Sequence, residues 1–332
     1  MNSNVENTVN SAEASAVKPQ HATEGTAGSA EASAAVLQHA TEDTAAHRAM
    51  ALLAQLRVIS TPQLHRMMFP QASRRRMSAV LSGLQTDKLI SHSVLPNSMR
   101  TRLWFLTPRG AQVATLWPEL RGRSVVPPGN ATEASLRAPH TLAGIRAHLT
   151  FLEDAGVRGD EYGPLDWVPE VAHRLPDTGG EDRLIADAVM HYTASAPRRL
   201  QYRAFVEIDR ATMSSERLAS KLISYARFHD YTPQPVGRRG LVGDQAAMLA
   251  WQRFYPRFPR ILFILTGASP RTLQQRTEDL RAMTVEHPLV ATLAARVPLG
   301  AAVLEDLEAQ GPSAPVWTPL SGPAERRSWM EL

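Results

Sequence analysis

The chain has 332 residues, a formal net charge of +4, 43% hydrophobic and 20% charged residues, and no cysteine. This composition is typical of a folded protein, and a domain usually takes roughly 100–200 residues, so two domains are expected. The lack of cysteine excludes disulfides, thiolate zinc sites and thiol nucleophiles. With no secretory signal and no apolar run of about 20 residues, the sequence predicts a cytoplasmic protein with no membrane partner.

The charge is distributed unevenly along the chain. Residues 1–47 have one lysine and six acidic residues, whereas residues 48–125 have twelve basic and two acidic residues. The net charges are therefore −5 and +10, and the rest of the chain has a net charge of −1. Such a concentration of positive charge indicates a polyanionic partner for the middle segment.

The acidic leader, residues 1–45, contains a duplicated sequence. SAEASA occurs at 11–16 and 29–34, and QHATE occurs at 20–24 and 38–42, with the same offset of 18 residues. A helix would place both copies on one face. The leader has too few large apolar residues to fold alone, so we expect disorder or a transient helix.

Residues 46–120 have the pattern of a winged helix-turn-helix, in which helices precede a hairpin and a closing helix. This interpretation rests on the helical spacing of apolar residues, on the helix cap at Ser60 with Pro62, and on the alternating runs around a turn at 96–98. The three helices are expected at 49–56, 60–68 and 72–88, the hairpin at 89–106, and the closing helix after Thr107.

Five arginines of this domain are candidate DNA contacts. Arg74, Arg75 and Arg76 lie near the start of the third helix, where recognition helices present side chains to the major groove. Arg100 and Arg102 lie on the wing, within reach of phosphates or the minor groove. The sequence predicts double-stranded DNA as the partner; the alternatives are a solvated basic face or a winged helix that contacts protein.

The rest of the chain predicts a second domain. Residues 121–137 contain Pro-Pro-Gly and lack periodicity, which is typical of a linker, and residues 311–332 are expected to be a surface tail. Between them, residues 138–310 predict the order α-β-β-β-α-β followed by a final helix. The expected elements are a helix at 141–153, strands at 165–171, 183–192 and 202–209, a helix at 214–229, a strand at 260–265 and a helix at 270–283.

Three carboxylates stand where a plain apolar core would have none. Asp187 interrupts an apolar run, and Glu207 and Asp209 alternate with apolar residues, so both point to one face of a strand. A buried carboxylate requires a cationic partner. A divalent metal bound by acids of two strands would be such a cationic partner. Lys221, one helical turn before Tyr225, could face the same cluster. Without cysteine, such a metal would be oxygen-bound Mg²⁺ or Mn²⁺.

Plainer interpretations stay open for these residues. The three acids could form structural ion pairs with Arg183, Arg203 or Arg210. His140 and His148 lie eight residues apart on one helical face, where histidines are more often packed than ligating. The sequence also lacks the phosphate-binding loop of ATPases, the paired histidines of common relaxases, and the esterase and zinc-protease motifs.

The order of elements and the acids of the second and third strands resemble the core of PD-(D/E)xK nucleases, a restriction-endonuclease-like fold. The resemblance implies that Asp187 and Glu207 are metal ligands, that the metal activates water, and that a lysine orients the nucleophile or stabilises charge. The usual position of that lysine is occupied by Asp209, and Lys221 of the next helix is the candidate replacement.

A wider resemblance covers most of residues 46–290. The winged helix, a histidine-containing helix, Ala-Asp-Ala at 186–188, Val-Glu-Ile-Asp-Arg-x-Thr at 206–212 and Lys-x-x-x-Tyr at 221–225 together resemble the replication-relaxation family. Proteins of that family occur on actinobacterial plasmids and integrative elements, which implies a role in plasmid replication or conjugative mobilisation. The expected function is a DNA-binding, metal-dependent nicking or relaxase-like factor. The alternative is a non-catalytic regulator whose second domain forms a homodimer or binds a partner.

Overall fold

The computed structural model describes residues 44–71, 73–95, 100–123, 125–175, 183–212, 214–233 and 248–332. The leader, with its duplication, and the predicted turn at 96–98 lie outside the described residues, except that Thr44 and Ala45 of the leader are described. From Ala45 to Leu332 the chain forms one compact unit of mixed α and β structure.

The N-terminal part of this unit combines short helices with a small antiparallel sheet. Ser60 caps the second helix in a capping box with Gln63, and Thr107 caps the fourth by accepting the Gly110 N–H at 3.1 Å. The elements follow the predicted order except for β1, a two-residue strand that the sequence did not predict, and the sheet has the strand order β1-β3-β2. They are α1 (Ala45–Leu56), β1 (Ile59–Ser60), α2 (Thr61–Met68), α3 (Arg74–Thr86), β2 (Ile90–Val94), β3 (Arg102–Leu106) and α4 (Pro108–Ala114).

A long helix, α5 (Ala131–Arg158), follows and corrects the predicted linker. The Asn130 side chain accepts the Glu133 N–H at 2.9 Å, so the helix begins at residue 131 and the last seven residues of the predicted linker are helical. Pro139 lies inside the helix and does not end it. The sequence suggested a later start because Pro-Pro-Gly and Pro139 both normally break helices.

The remaining elements build the main sheet, whose strand order is β4-β5-β6-β7-β8-β9 in the described part of the chain. Strands β4 to β6 pair antiparallel, β6 to β8 pair parallel, and β9 is antiparallel to β8. The elements are β4 (Trp167–Arg174), β5 (Arg183–Ala194), β6 (Leu200–Asp209), α6 (Ser215–Asp230), β7 (Arg260–Leu265), α7 (Pro270–Glu286), α8 (Pro288–Ala294), β8 (Leu299–Val303), α9 (Leu304–Gln310) and β9 (Thr318–Pro319).

The sheet packs between helices. On one face, the buried side chains of Phe205 and Phe263 join Leu222 and Tyr225 of α6 and Leu280 of α7 in one apolar cluster. On the other face lies α5, where a Cβ at Gly144 would stand 3.8 Å from the Ile208 side chain. Alternate residues of β6 therefore face opposite helical layers, which places Glu207 and Asp209 on the side of α6 and α7.

The C-terminal segment 311–332 is not a surface tail, and that expectation is wrong. Trp317 and Trp329 are fully buried, and β9 adds a strand to the edge of the sheet. The Arg260 guanidinium donates to the main-chain carbonyls of Trp329, Met330 and Leu332 at 3.1–3.2 Å. Because burying two tryptophans removes a large apolar area from water, the segment folds onto the sheet despite its proline and serine content.

The N-terminal part is joined to the main sheet by buried contacts. The Gln55 side-chain amide donates to the Leu165 carbonyl at 3.0 Å and to the Trp167 carbonyl, and the Gln63 amide donates to the Leu142 carbonyl at 2.9 Å. Val58, Leu103 and Phe105 share an apolar cluster with Ala134 and Ala138 of α5. Among the described residues, no helix has the length and apolar character needed to cross a membrane.

Candidate functional site

The acids singled out in the sequence come together at the junction of β5 and β6. Ala188 of β5 pairs with Val206 of β6, so Asp187 and Glu207 are the next residues along the two strands, and Asp187 Oδ2 accepts the N–H of Ile208, the neighbour of Glu207. The Glu207 and Asp209 side chains are 6% and 3% exposed, whereas that of Asp187 is 25% exposed. The pair formed by Asp187 and Glu207 is therefore an acidic site that is buried at one end and open to solvent at the other.

Helix α6 supplies the partners of Glu207. The Lys221 Nζ lies 3.0 Å from Glu207 Oε2, and the Tyr225 hydroxyl donates to Oε1. Lys221 and Tyr225 are four residues apart, hence on one face of the helix. Lys221 also donates to the Ile185 carbonyl of β5. Lys221 thus reaches the Glu207 carboxylate from the following helix, the position from which the sequence suggested that it could face the acids.

Burial and the neighbouring Asp187 charge raise the pKa of Glu207 to about 8, although Lys221 and Tyr225 favour the ionised form. Two carboxyl groups this close resist ionising together. A cation bound beside both of them would remove that resistance.

Asp187 is held from the opposite side by α5. Its Oδ2 accepts the Ile208 N–H at 2.8 Å and lies 3.3 Å from His140 Nε2. Burial opposes ionisation of Asp187. Its pKa is nevertheless lowered, because the hydrogen bond and charge of His140, the charge of Lys221 and the Ile208 N–H all favour the ionised form. The hydrogen bond to Asp187 in turn raises the pKa of His140, against burial and the charges of Arg210 and Lys221. His140 is about half exposed, so the site is accessible.

Asp209 is turned toward α7. Its Oδ2 lies 3.1 Å from the Arg276 guanidinium, whose side chain is 8% exposed, and its Oδ1 accepts the Ala211 N–H at 2.9 Å. Burial raises the pKa of Asp209, with the Ala211 N–H and Arg276 acting in the other direction. Asp209 shares the face of Glu207 but is bound to the scaffold.

The three acids pair with other residues than the arginines that the sequence suggested as structural ion-pair partners. In the described part of the chain, the acids meet His140, Lys221 and Arg276 rather than Arg183, Arg203 or Arg210. The contacts are His140 with Asp187, Lys221 with Glu207, and Arg276 with Asp209.

The two histidines of α5 have different surroundings. His148 is fully buried, with Nδ1 2.7 Å from the Tyr162 hydroxyl and Nε2 3.1 Å from the Pro164 carbonyl. Burial lowers the pKa of His148 to about 4, so it is a neutral packing residue. His140 instead contacts Asp187, so it does more than pack against the core.

The acidic pair is chemically compatible with a hard divalent cation. No group of three or more histidine, aspartate or glutamate side chains is arranged to hold a metal among the residues that the structure describes. Mg²⁺, however, is commonly bound by one or two carboxylates, with water and substrate phosphate completing its octahedron. Asp187 and Glu207 fit that donor set, provided that Glu207 exchanges a contact with Lys221 or Tyr225 for the ion.

The predicted DNA contacts lie on the surface of the N-terminal part. Arg74, Arg75 and Arg76 form the first turn of α3 and are exposed, as are Arg100 and Arg102 on the hairpin. The Arg76 guanidinium stands 4.8 Å from the centre of the Phe69 ring, and that of Arg102 stands 5.9 Å from the Trp104 ring. This surface presents positive charge at a helix N-terminus, where the helix dipole also favours anions.

The structure adds contacts that sequence reasoning missed. Tyr225 could have been found, because a residue four positions after Lys221 shares its helical face. His140 and Arg276 meet Asp187 and Asp209 across 47 and 67 residues of sequence, and no local pattern signals such contacts.

Comparison with known proteins gives a family match. A family model described as replication-relaxation matches residues 50–242, more than half of the chain. Among solved structures, a double mutant of Lactococcus lactis ZitR is similar at 17% identity with a TM-score of 0.20, over 37% of this chain and 85% of that chain. No curated protein matches.

Proposed function

Because the chain belongs to the replication-relaxation family, we propose that it binds double-stranded DNA and nicks it during plasmid replication or mobilisation. Family membership indicates the involvement in replication or mobilisation. One observation carries the proposed chemistry: Lys221 lies 3.0 Å from Glu207, and the negative charge of Asp187 acts on the same Glu207 carboxyl. Two carboxylates and a lysine, assembled from two strands and a helix, resemble the set that PD-(D/E)xK nucleases use for metal-assisted phosphodiester hydrolysis.

DNA docking is assigned to the N-terminal part, which we interpret as a winged helix. The order α1-β1-α2-α3-β2-β3 and the β1-β3-β2 sheet support this interpretation. Helix α3 would then enter the major groove with Arg74, Arg75 and Arg76, and the hairpin would reach the backbone with Arg100 and Arg102. The net charge of +10 over residues 48–125 supplies the electrostatic attraction.

The nicking centre is assigned to the main sheet, which we interpret as a nuclease-like domain. A Mg²⁺ or Mn²⁺ ion held by Asp187 and Glu207 would supply an activated water and stabilise charge on the phosphate. In the protein itself, His140 and the Ile208 N–H orient Asp187, and Tyr225 orients Glu207. The Lys221 ammonium adds a positive charge where a phosphate would accumulate negative charge.

The nicking proposal is tested with supercoiled plasmid incubated with the full chain and Mg²⁺ or Mn²⁺. Conversion to open circles that is abolished in Asp187→Ala and Glu207→Ala, with DNA binding retained, is the expected result. Lys221→Ala should slow the conversion by 10²-fold or more, as removal of one charge-stabilising group commonly does.

The docking proposal has its own test, because positive charges that meet phosphates set the salt dependence of binding. Replacing Arg74, Arg75 and Arg76 together by alanine should lower the slope of log K against log salt by about 0.9 for each phosphate that the variant no longer binds. Arg198→Ala, which changes an exposed arginine in the turn between β5 and β6, at the far end of β6 from Glu207, is the control and should leave the slope unchanged. An unchanged slope in the triple variant would remove the recognition-helix assignment.

A second candidate function is a non-catalytic replication or transcription regulator. It is favoured by the contacts of Glu207, whose two oxygens are already bound by Lys221 and Tyr225. The main sheet would then serve for homodimerisation or for binding a partner. Tight DNA binding with no nicking in any divalent metal would support this function over the first.

A further inference from the structure

We propose that Arg210 binds a backbone phosphate of the DNA strand beside the pair formed by Asp187 and Glu207, and that Asp209 positions Arg210 instead of ligating a metal. The inference deepens the proposed function and rests on it. Its basis is the turn that follows β6, together with the surroundings of the Arg210 side chain.

Arg210 occupies a favourable place for ligand contact. It follows Asp209, the last residue of β6, and β6 runs parallel to β7. In sheets of this kind, ligands bind outside the carboxyl ends of the parallel strands. The same edge holds Glu207, two residues from the end of β6.

The backbone around Arg210 is fixed by three contacts. Asp209 Oδ1 accepts the Ala211 N–H at 2.9 Å, and the Thr266 N–H donates to the Asp209 carbonyl at 2.8 Å. At Gly267, which has a φ of 80°, a Cβ would stand 2.9 Å from the Arg210 carbonyl oxygen, so only glycine permits this approach.

The turn itself is strained. Ala211 has a φ of 54°, in the left-handed region that alanine rarely adopts. The hydrogen bond that the Ala211 N–H donates to Asp209 holds the residue there, and such strain is typical of turns that present a functional group.

The Arg210 side chain lies close enough to the site for its charge to act on His140, and no described residue accepts a hydrogen bond from it. It is partly buried and makes no hydrogen bond or ion pair with the residues that the structure describes. Its positive charge acts on His140, which contacts Asp187. A partly desolvated guanidinium lacking acceptors favours an anion, and its planar fork of donors matches a phosphate.

The role of Asp209 follows from its contacts. One carboxylate oxygen meets the buried Arg276 and the other caps Ala211, so both are used by the scaffold. The acid at this position therefore shapes the turn that presents Arg210.

The test of Arg210 measures DNA binding by the full chain across a range of salt concentrations in EDTA, so that no nicking occurs. Arg210→Ala should lower the slope of log K against log salt by about 0.9, the value for one phosphate contact. Arg203→Ala is the matched control. Arg203 is equally partly buried and lies seven residues earlier on β6, about 23 Å away along an extended strand.

The outcomes separate this inference from the proposed nicking. A lower slope in Arg210→Ala but not in Arg203→Ala supports the phosphate contact, even when the wild type fails to nick plasmid. Equal slopes in Arg210→Ala and the wild type overturn the contact, even when the wild type nicks.

The positioning role of Asp209 is tested by rescue. Asp209→Ala should lower the slope as Arg210→Ala does, because the turn loses its cap. The double variant Asp209→Asn, Arg276→Gln keeps a side-chain oxygen for the Ala211 N–H and leaves no unpaired buried charge. It should restore the wild-type slope, and a slope as low as that of Asp209→Ala would overturn the positioning role.

Discussion

Glu207 is the residue at which burial and the proposed function conflict most directly, because burial opposes the ionised carboxylate that a metal would bind. It is 5% exposed and faces a second carboxylate, and these two facts raise its pKa to about 8. A protein selected for stability alone would gain by placing a neutral side chain there. The protein nevertheless has a glutamate at this position, and Lys221 and Tyr225 bind its carboxylate.

This conflict predicts a pH-dependent effect of Glu207→Gln in the absence of divalent metal. In the wild type, the stability contributed by the protonated carboxyl is complete below its unfolded pKa near 4.5 and is lost as the pH rises through about 8. Glutamine does not titrate. Urea unfolding should therefore give similar stabilities for both proteins at pH 5 and a variant more stable by about 1–3 kcal/mol at pH 9.

An equal effect of Glu207→Gln at both pH values would contradict the raised pKa. Glu161→Gln serves as control, since Glu161 is exposed and forms its ion pair with the exposed Arg199, at 2.7 Å. Its effect should be small, because an exposed ion pair is screened by solvent, and should not grow toward high pH.

At the scale of elements, helix α4 lies in close contact with the chain just before β2. At Gly110, a Cβ would stand 2.0 Å from the Leu89 carbonyl oxygen. The helix can lie against the chain before β2 only because residue 110 has no side chain. Gly83 of α3 is different, since nothing lies within 4 Å of a Cβ there.

These two glycines give opposite predictions for alanine. Gly110→Ala forces backbone apart and should lower the free energy of unfolding by about 2–3 kcal/mol. Gly83→Ala restrains the unfolded chain and should raise it by about 0.5–1 kcal/mol. Thermal or urea unfolding of both variants measures the effects, and a neutral Gly110→Ala would refute the close packing of α4.

Sequence periodicity predicted the helices and strands up to α7, apart from β1 and the first turns of α5, because their apolar faces are regular. The four short elements after it were not predicted, since Leu299–Val303 reads Leu-Gly-Ala-Ala-Val and has no strong strand signal of its own. It becomes a strand by pairing with β7. The acids of the site were found by their alternation along β6, whereas the pairing of Asp209 with Arg276 depends on tertiary packing.

At the scale of the whole molecule, α5 and the C-terminal segment hold the described unit together. Helix α5 packs on β1 and β3 through Ala134 and Ala138 and carries His140 to the acidic site. Near its other end, Phe151 packs against Trp329 with ring centres 5.6 Å apart. The proposed DNA-docking surface and the acidic site are thus attached to one continuous helix.

This arrangement predicts a large effect of a substitution close to the C-terminus. Trp329 is fully buried against Phe151, Tyr192 and Tyr202, so Trp329→Ala should cost about 3–5 kcal/mol of unfolding free energy. Arg326→Ala, three residues away in an exposed pair with Asp306, should cost less than about 1 kcal/mol. Equal and small losses in the two variants, measured by urea unfolding, would restore the surface-tail interpretation.

The central claim is that the cluster of Asp187, Glu207 and Lys221 cuts DNA held by the same chain. The most direct measurement is single-turnover nicking of supercoiled plasmid at saturating protein, where differences in DNA affinity no longer matter. With Mg²⁺ or Mn²⁺ present, the wild type and the Glu161→Gln control should convert the plasmid to open circles, and Glu207→Gln should reduce the rate by 10²-fold or more. Saturated binding with no metal-dependent nicking by the wild type, or undiminished nicking by Glu207→Gln, would contradict the claim.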